Sequence, residues 1–327
     1  MTSLAQVTTI EQKSQIDDCP EKLDNTTHAV SQNTNKQDWA TCGNVEGKFH
    51  YIIVADSHGR SQGQKDVFIK MFSNINWEEY LQDPNWELIL SRECENVEGI
   101  GNTTLIGTTF TCVKIHEGYF EISWIGDSSS KIISYGTDKD PLKSKVIWKT
   151  KDHDARNHED ISALEQYYTP KTFGVGGSKF EKKFAWDIQA TNPTIMKNIK
   201  SFKFAISCQD MTGIKDGTNM TRCLGHGGSY SRPMGFQRET IQRNTNEQYK
   251  IISATDGYWQ VMCEEDNKTI NAGLENGASE LCQIARDRWN QEWAYIPPNS
   301  SERQDNIKIP KWNHDDIGVA VWDNFGN

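Results

Sequence analysis

The run Phe49-His50-Tyr51-Ile52-Ile53-Val54-Ala55 is rich in aromatic and β-branched residues and stops at Asp56-Ser57-His58-Gly59. It predicts a buried strand that ends in a turn. Phe68, Met71, Phe72 and Ile75 then recur at three- and four-residue spacing, which predicts an amphipathic helix, and a second helix fits over 85–97. Two strands follow, Thr108–Ile115 and Tyr119–Ile125, joined at His116-Glu117-Gly118 as a hairpin. In the second of them Phe120, Ile122 and Trp124 share one face, and Glu121 and Ser123 the other. This strand ends at Gly126-Asp127-Ser128. The stretch 152–245 is polar and Gly-rich with little periodicity, and reads as loops and short elements. A strand over 249–255 runs into Asp256-Gly257. A helical pattern carries Leu281, Ile284, Ala285, Arg288 and Trp289, and a last strand, 317–322, follows Asp315-Asp316.

Composition narrows the function classes. The chain has 327 residues, 10% of them aromatic and 11 of them Trp, enough bulky apolar material for a core. Wholesale disorder is therefore not expected, although residues 1–28 lack aromatics and read as a polar, disordered tail. The net charge of −10 and the lack of a Lys/Arg stripe argue against nucleic acid as a partner. No apolar run approaches the roughly 20 residues that span a bilayer, so no membrane partner is expected. The N-terminus has no basic start followed by an apolar stretch, and the expected compartment is the cytoplasm, that of a host if the source is viral. The 8 cysteines form no C-x-x-C pair and read as reduced, mostly buried thiols. With no heptad pattern, a monomer is expected.

Several predicted strands begin or end on a carboxylate: Asp38, Asp56, Asp127, Asp256, Asp315 and Asp316. A single Asp beside Gly is an ordinary turn residue. Together, and accompanied by His58, these residues could converge at a sheet edge as an all-oxygen site for a hard cation such as Mg²⁺ or Mn²⁺.

The same residues carry a family resemblance. Asn35-Lys36-Gln37-Asp38, Val54-Ala55-Asp56-Ser57-His58-Gly59, Gly107-Thr108-Thr109, Ile125-Gly126-Asp127-Ser128-Ser129 and Thr150-Lys151-Asp152-His153 resemble, in order, elements of the metal-dependent type 2C (PPM) protein phosphatases. Thr221-Arg222-Cys223-Leu224-Gly225, Ser253-Ala254-Thr255-Asp256-Gly257-Tyr258-Trp259 and Asp315-Asp316-Ile317-Gly318-Val319 continue that order. The resemblance implies an α+β fold, an αββα sandwich of two antiparallel sheets flanked by helices, over residues 29–327 with a variable flap within 155–245. It implies hydrolysis of phosphoserine and phosphothreonine on a phosphorylated protein substrate, using two Mn²⁺ or Mg²⁺ ions and a weaker third. Asp56 would bridge two ions and the Ser57 carbonyl would add a ligand. Asp256 and Asp315 would complete a shell, Asp38 would act through water, and Asp127 would serve the third ion. His58 would be the general acid.

Some positions depart from the family pattern. Asn33 stands where the family has its phosphate-gripping Arg, and a bidentate charged contact is lost. Arg60 and Arg222 are the replacements the sequence offers. Ser57 stands for the first Gly of D-G-H-G, and His226 stands where an Asp is common. Asp316 rather than Asp315 could be the ligand. A catalytically weak binding module and a phosphatase of small phosphoesters are the alternative readings.

Overall fold

Two antiparallel sheets pack face to face with helices on both outer sides, an αββα sandwich. The computed structural model describes residues 16–18, 26–33, 36–59, 62–97, 106–137, 139–168, 179–207 and 218–325. Strands are numbered in chain order. The first sheet comprises Ile16–Asp18 (β1), Thr26–Ser31 (β2), Ser129–Gly136 (β8), Lys145–Lys149 (β9), Gln248–Ala254 (β14) and Ile317–Asp323 (β17). Its spatial order is β1-β2-β17-β14-β8-β9. The second comprises Asp38–Val45 (β3), Phe49–His58 (β4), Gly107–Thr108 (β5), Phe110–Ile115 (β6), Tyr119–Ile125 (β7), Leu224–Gly225 (β12) and Gln237–Gln242 (β13). It runs β12-β5-β4-β6-β7-β13, with β3 paired to β4.

Period-two alternation explains the layering. Phe120, Ile122 and Trp124 of β7 point inward and meet Ile132, Ile251, Ala320 and Trp322 of the facing sheet. The other face of β7 carries Glu121, whose carboxylate lies 3.4 Å from Lys114 Nζ. Behind the second sheet, Phe68 and Phe72 of α1 (Gln62–Asn74), Trp77 of α2 (Trp77–Tyr80) and Trp86 and Leu90 of α3 (Trp86–Glu95) form one outer core. Behind the first sheet, Tyr258 of α5 (Asp256–Trp259) and Leu281, Ala285 and Trp289 of α6 (Ala278–Asn290) form the other. Truncating a fully buried Trp of this kind costs about 3–5 kcal/mol.

Two expectations need correction. Thr26, Thr27 and His28 lie in β2 and pair with Trp322, Val321 and Ala320, so the ordered sheet begins before residue 29. The stretch 152–245 is more than loops: besides α4 (His158–Tyr167), it holds a long hairpin of β10 (Lys179–Asn192) and β11 (Ile195–Ser207). With β15 (Glu292–Ile296) and β16 (Gln304–Lys308) this hairpin forms a third, four-stranded sheet. The signal was present: Phe184, Trp186, Ile188 and Ala190 recur at every second position, with Ala185, Asp187 and Gln189 between them. Asn192-Pro193-Thr194 is the turn, with Asn192 Oδ1 accepting from the Thr194 and Ile195 amides at 2.9 and 2.8 Å. Lysines interrupting both strands disguise the pattern.

Among the described residues the six cysteines Cys42, Cys94, Cys112, Cys223, Cys263 and Cys282 are buried. Among the described residues no helix is long and apolar enough to cross a membrane.

Candidate active site

One end of the sandwich collects the strand termini that carry carboxylates. Asp38 opens β3 and is the cross-strand partner of Asp56 near the end of β4. Asp127 follows β7, and Asp256 opens α5 directly after β14. Asp315 precedes β17, whose Val319 pairs with Ala254. Because antiparallel neighbours start and stop at the same edge, residues far apart in sequence meet there.

Backbone hydrogen bonds fix the edge. The Asp56 N–H donates to Thr109 Oγ1 at 2.9 Å, and the Thr109 N–H returns to the Asp56 carbonyl at 2.8 Å. The Ser57 N–H donates to the Gln37 carbonyl at 3.0 Å, tying the β3 entry to the β4 exit. Thr255 Oγ1 donates to Asp38 Oδ2 at 2.6 Å and accepts the Gly318 N–H at 2.9 Å. Gly257 is required here: a Cβ would lie 1.8 Å from the Asp316 carbonyl oxygen and 2.9 Å from Asp315 Cβ. From behind, Arg286 of α6 donates to the Asp315 carbonyl at 3.1 Å and to the Ser31 carbonyl at 2.6 Å.

The carboxylates repel one another. Burial raises the Asp38 pKa well above the ordinary carboxylate range, and the Asp316, Asp315 and Asp256 charges add to it. Asp56 is raised by burial and then by Asp38, Asp256, Asp315 and Asp127. Burial also pushes Asp127 to about 8, assisted by Asp152 and Asp154, and Asp256 to about 8, assisted by Asp127 and Asp187. Asp56 Oδ1 is buried and makes no hydrogen bond among the described residues. An unsatisfied buried carboxylate oxygen among like charges is costly to the fold, and a divalent cation offsets that cost. The donor set is all oxygen and fits Mg²⁺ or Mn²⁺.

His58 closes β4 beside this cluster. Its Nε2 lies 2.7 Å from His226 Nε2, with the rings stacked at 4.9 Å and 30°. One nitrogen of the pair carries the proton and the other accepts it.

No protein-family model matches the chain, and no curated protein sequence matches it. Solved structures do. The serine-threonine phosphatase 2C of Toxoplasma gondii aligns over 95% of this chain and 100% of its own, at 14% identity and a TM-score of 0.50. The serine/threonine phosphatase Stp1 of Staphylococcus aureus aligns over 92% of this chain and 96% of its own, at 14% identity and a TM-score of 0.48. A C. elegans sex determining protein aligns over 95% of this chain, at 12% identity and a TM-score of 0.47, and the chain spans 64% of that protein's length. The chain has the type 2C phosphatase fold.

Within the type 2C fold, the residues that depart from the family pattern have identifiable partners. Arg222, read from the sequence as a candidate phosphate ligand, is ion-paired within the fold. Its Nη2 and Nε donate to the two oxygens of buried Asp160 on α4, at 2.5 and 3.0 Å. A guanidinium paired bidentately with a carboxylate has its fork occupied within the fold. Arg60 lies outside the described residues. Asn33 works as a staple, its Nδ2 donating to the Lys311 and His314 carbonyls at 3.1 and 2.7 Å. Asp316 is wholly buried and accepts from the Asn33 and Gln37 amides, the latter at 2.8 Å. It therefore holds the Asn33 and Gln37 backbone, while Asp315 keeps some exposure at the cluster.

Ser57 is buried in regular strand, its Oγ 3.3 Å from Thr108 Oγ1, and its φ is not in the left-handed region. The β-carbon is accommodated without strain. Sequence reasoning missed Asp154 and Asp187, and assigned no role to Asp152. All three line the cleft beside Asp127 and Asp256, where Arg156 and Lys200 also reach. Asp152 and Asp154 follow β9, which ends at Lys149, a signal of the kind used elsewhere. Asp187 comes from the unforeseen hairpin.

Proposed function

We propose that this chain hydrolyses phosphoserine and phosphothreonine on proteins, with two Mn²⁺ or Mg²⁺ ions held at the carboxylate cluster and a weaker third near Asp127. The observation that supports it best is the convergence of buried carboxylates from separate strand ends at one edge, with Asp56 Oδ1 left without a hydrogen bond among the described residues. Asp56 would bridge two ions, the Ser57 carbonyl, Asp256 and Asp315 would complete their shells, and Asp38 would act through water. When bound, such ions neutralise phosphoryl oxygens and acidify a water that attacks phosphorus in line.

The chain's own groups do the rest. Thr109, Thr255 and the Gln37 carbonyl hold the carboxylate-bearing backbone rigid, so little reorganisation accompanies the reaction. His58 would donate a proton to the departing serine or threonine alkoxide, a poor leaving group without one. With Arg222 paired to Asp160, the positive charge lining the cleft comes from Arg156 and Lys200. Arg156 also answers Asp152 and Asp154, so Lys200 on the added hairpin is the cation we assign to the substrate side.

The test is phosphate release from a phosphothreonine peptide with Mn²⁺ or Mg²⁺, with and without EDTA, for the wild type and Asp256→Asn. Release that needs metal and is lost in the variant supports the reading. No release from folded wild type at any metal concentration would leave a binding module.

A further inference from the structure

A second donor cluster of different chemistry lies beside the carboxylates. A ring nitrogen of His58, Cys223 Sγ and a ring nitrogen of His226 sit within 4.8 Å of one another, and the two Nε2 atoms are 2.7 Å apart. Cys223 and His226 are buried and His58 is half-buried.

Several backbone features serve to bring these atoms together. His58 pairs with Gly107 across β4 and β5, and Gly107 pairs with Gly225 across β5 and β12. A Cβ at Gly107 would lie 2.5 Å from both imidazole Nε2 atoms, so only glycine admits the pair. His226 itself has φ of 49°, between Gly225 at 80° and Gly227 at 57°. Left-handed backbone is unfavourable for a residue with a Cβ, so the fold bears a local cost that turns this imidazole back toward His58. The His226 N–H donates to the Ile106 carbonyl at 2.7 Å and locks that turn.

We propose that His58, Cys223 and His226 form a Zn²⁺ site distinct from the all-oxygen cluster, and that its occupation removes His58 from catalysis. Two imidazoles and a thiolate suit a borderline-soft cation and suit Mg²⁺ poorly. Zn–N bonds of about 2.0 Å and a tetrahedral angle need nitrogens about 3.3 Å apart. The observed 2.7 Å contact therefore opens by a small ring rotation. On binding, the Cys223 thiol proton is released to solvent. The proton shared between the two Nε2 atoms moves to a Nδ1, so that both Nε2 atoms present lone pairs. A water completes the shell. The site itself stands on geometry; its inhibitory consequence rests on the function proposed above.

The experiment uses the full chain, stripped of metal and then saturated with Mg²⁺ to fill the carboxylate cluster. Co²⁺ is added as a spectroscopic stand-in, and Zn²⁺ affinity is read by competition with a chromophoric chelator. Wild type is expected to show a thiolate-to-cobalt charge-transfer band and to bind one Zn²⁺. Cys223→Ser should lose the band, and Cys223→Ser and His226→Asn should each bind Zn²⁺ at least about tenfold more weakly. Asp56→Asn should keep the band. Zn²⁺ should inhibit phosphate release by wild type and spare Cys223→Ser. A missing band in folded wild type, or a band lost in Asp56→Asn and kept in Cys223→Ser, overturns the site. If no variant releases phosphate, the function fails while the spectrum still decides the site.

Discussion

Asp38 and Asp56 are direct cross-strand partners in β3 and β4, and both are buried. Like charges opposed in this way oppose folding, so the pair is a liability of the metal-free chain. Asp38→Asn and Asp56→Asn are each expected to raise the stability of metal-stripped protein by about 1–2 kcal/mol. Both should lose the stabilisation that Mn²⁺ gives the wild type. Chemical denaturation with and without metal reads both effects, and a metal-free Asp56→Asn less stable than wild type would contradict the argument.

The pH dependence follows from the same cluster. Asp127 and Asp256 titrate at about 8 in the fold against 3.8 ordinarily, so the folded chain holds more protons between those values. Stability of metal-stripped protein then falls as pH rises through this window. His153 acts oppositely lower down. Its Nδ1 accepts the Gly126 N–H at 3.1 Å and its Nε2–H donates to Gln237 Oε1 at 3.2 Å, an arrangement of the neutral ring. Burial, and then the Arg222 charge, lower it from 6.5 to about 4, so its contribution is lost as pH falls through that range. Above 6.5 the carboxylates act without this opposition. The melting temperature of metal-free protein should drop between pH 6.5 and 8, and saturating Mg²⁺ should flatten the slope. A metal-free melting temperature that climbs across this interval would show that the carboxylates are not held protonated.

Arg222 is expected to matter for the fold and little for the substrate. Arg222→Ala strands the buried Asp160 carboxylate and should cost about 3–5 kcal/mol. Asp160→Asn combined with Arg222→Gln should recover much of that loss. If the double variant is as stable as wild type yet its Michaelis constant for a phosphopeptide rises tenfold, Arg222 touches the phosphate after all.

Gly257→Ala tests the seam between α5 and the turn before β17. The added methyl must displace the Asp316 carbonyl, which a Cβ would approach to 1.8 Å. Overpacking of this kind costs about 1–3 kcal/mol or more, and here it also shifts Asp256 and Asp315. Reduced Mg²⁺ affinity together with a lowered melting temperature is expected. Unchanged metal affinity in the variant would show that the two carboxylates are positioned independently of that seam.

Much of this molecule is legible in the chain. Strand alternation in Tyr119–Ile125 and helical spacing at Phe68, Met71 and Phe72 are local consequences of burying one face, and the structure follows them. A carboxylate at a strand end is equally local, so Asp38, Asp56, Asp127, Asp256 and Asp315 could be named without coordinates. What only the tertiary structure decided are choices between partners distant in sequence. Arg222 could have faced a phosphate, but α4 brings Asp160 to it. Asp316 could have been a ligand, but the Asn33 and Gln37 amides each donate to one of its oxygens. His226 reads as a loop residue until Gly107 lets it reach His58. Periodicity records which face a residue buries; which charge or donor it meets depends on contacts across many residues of chain, and those exist only once the sheets have paired.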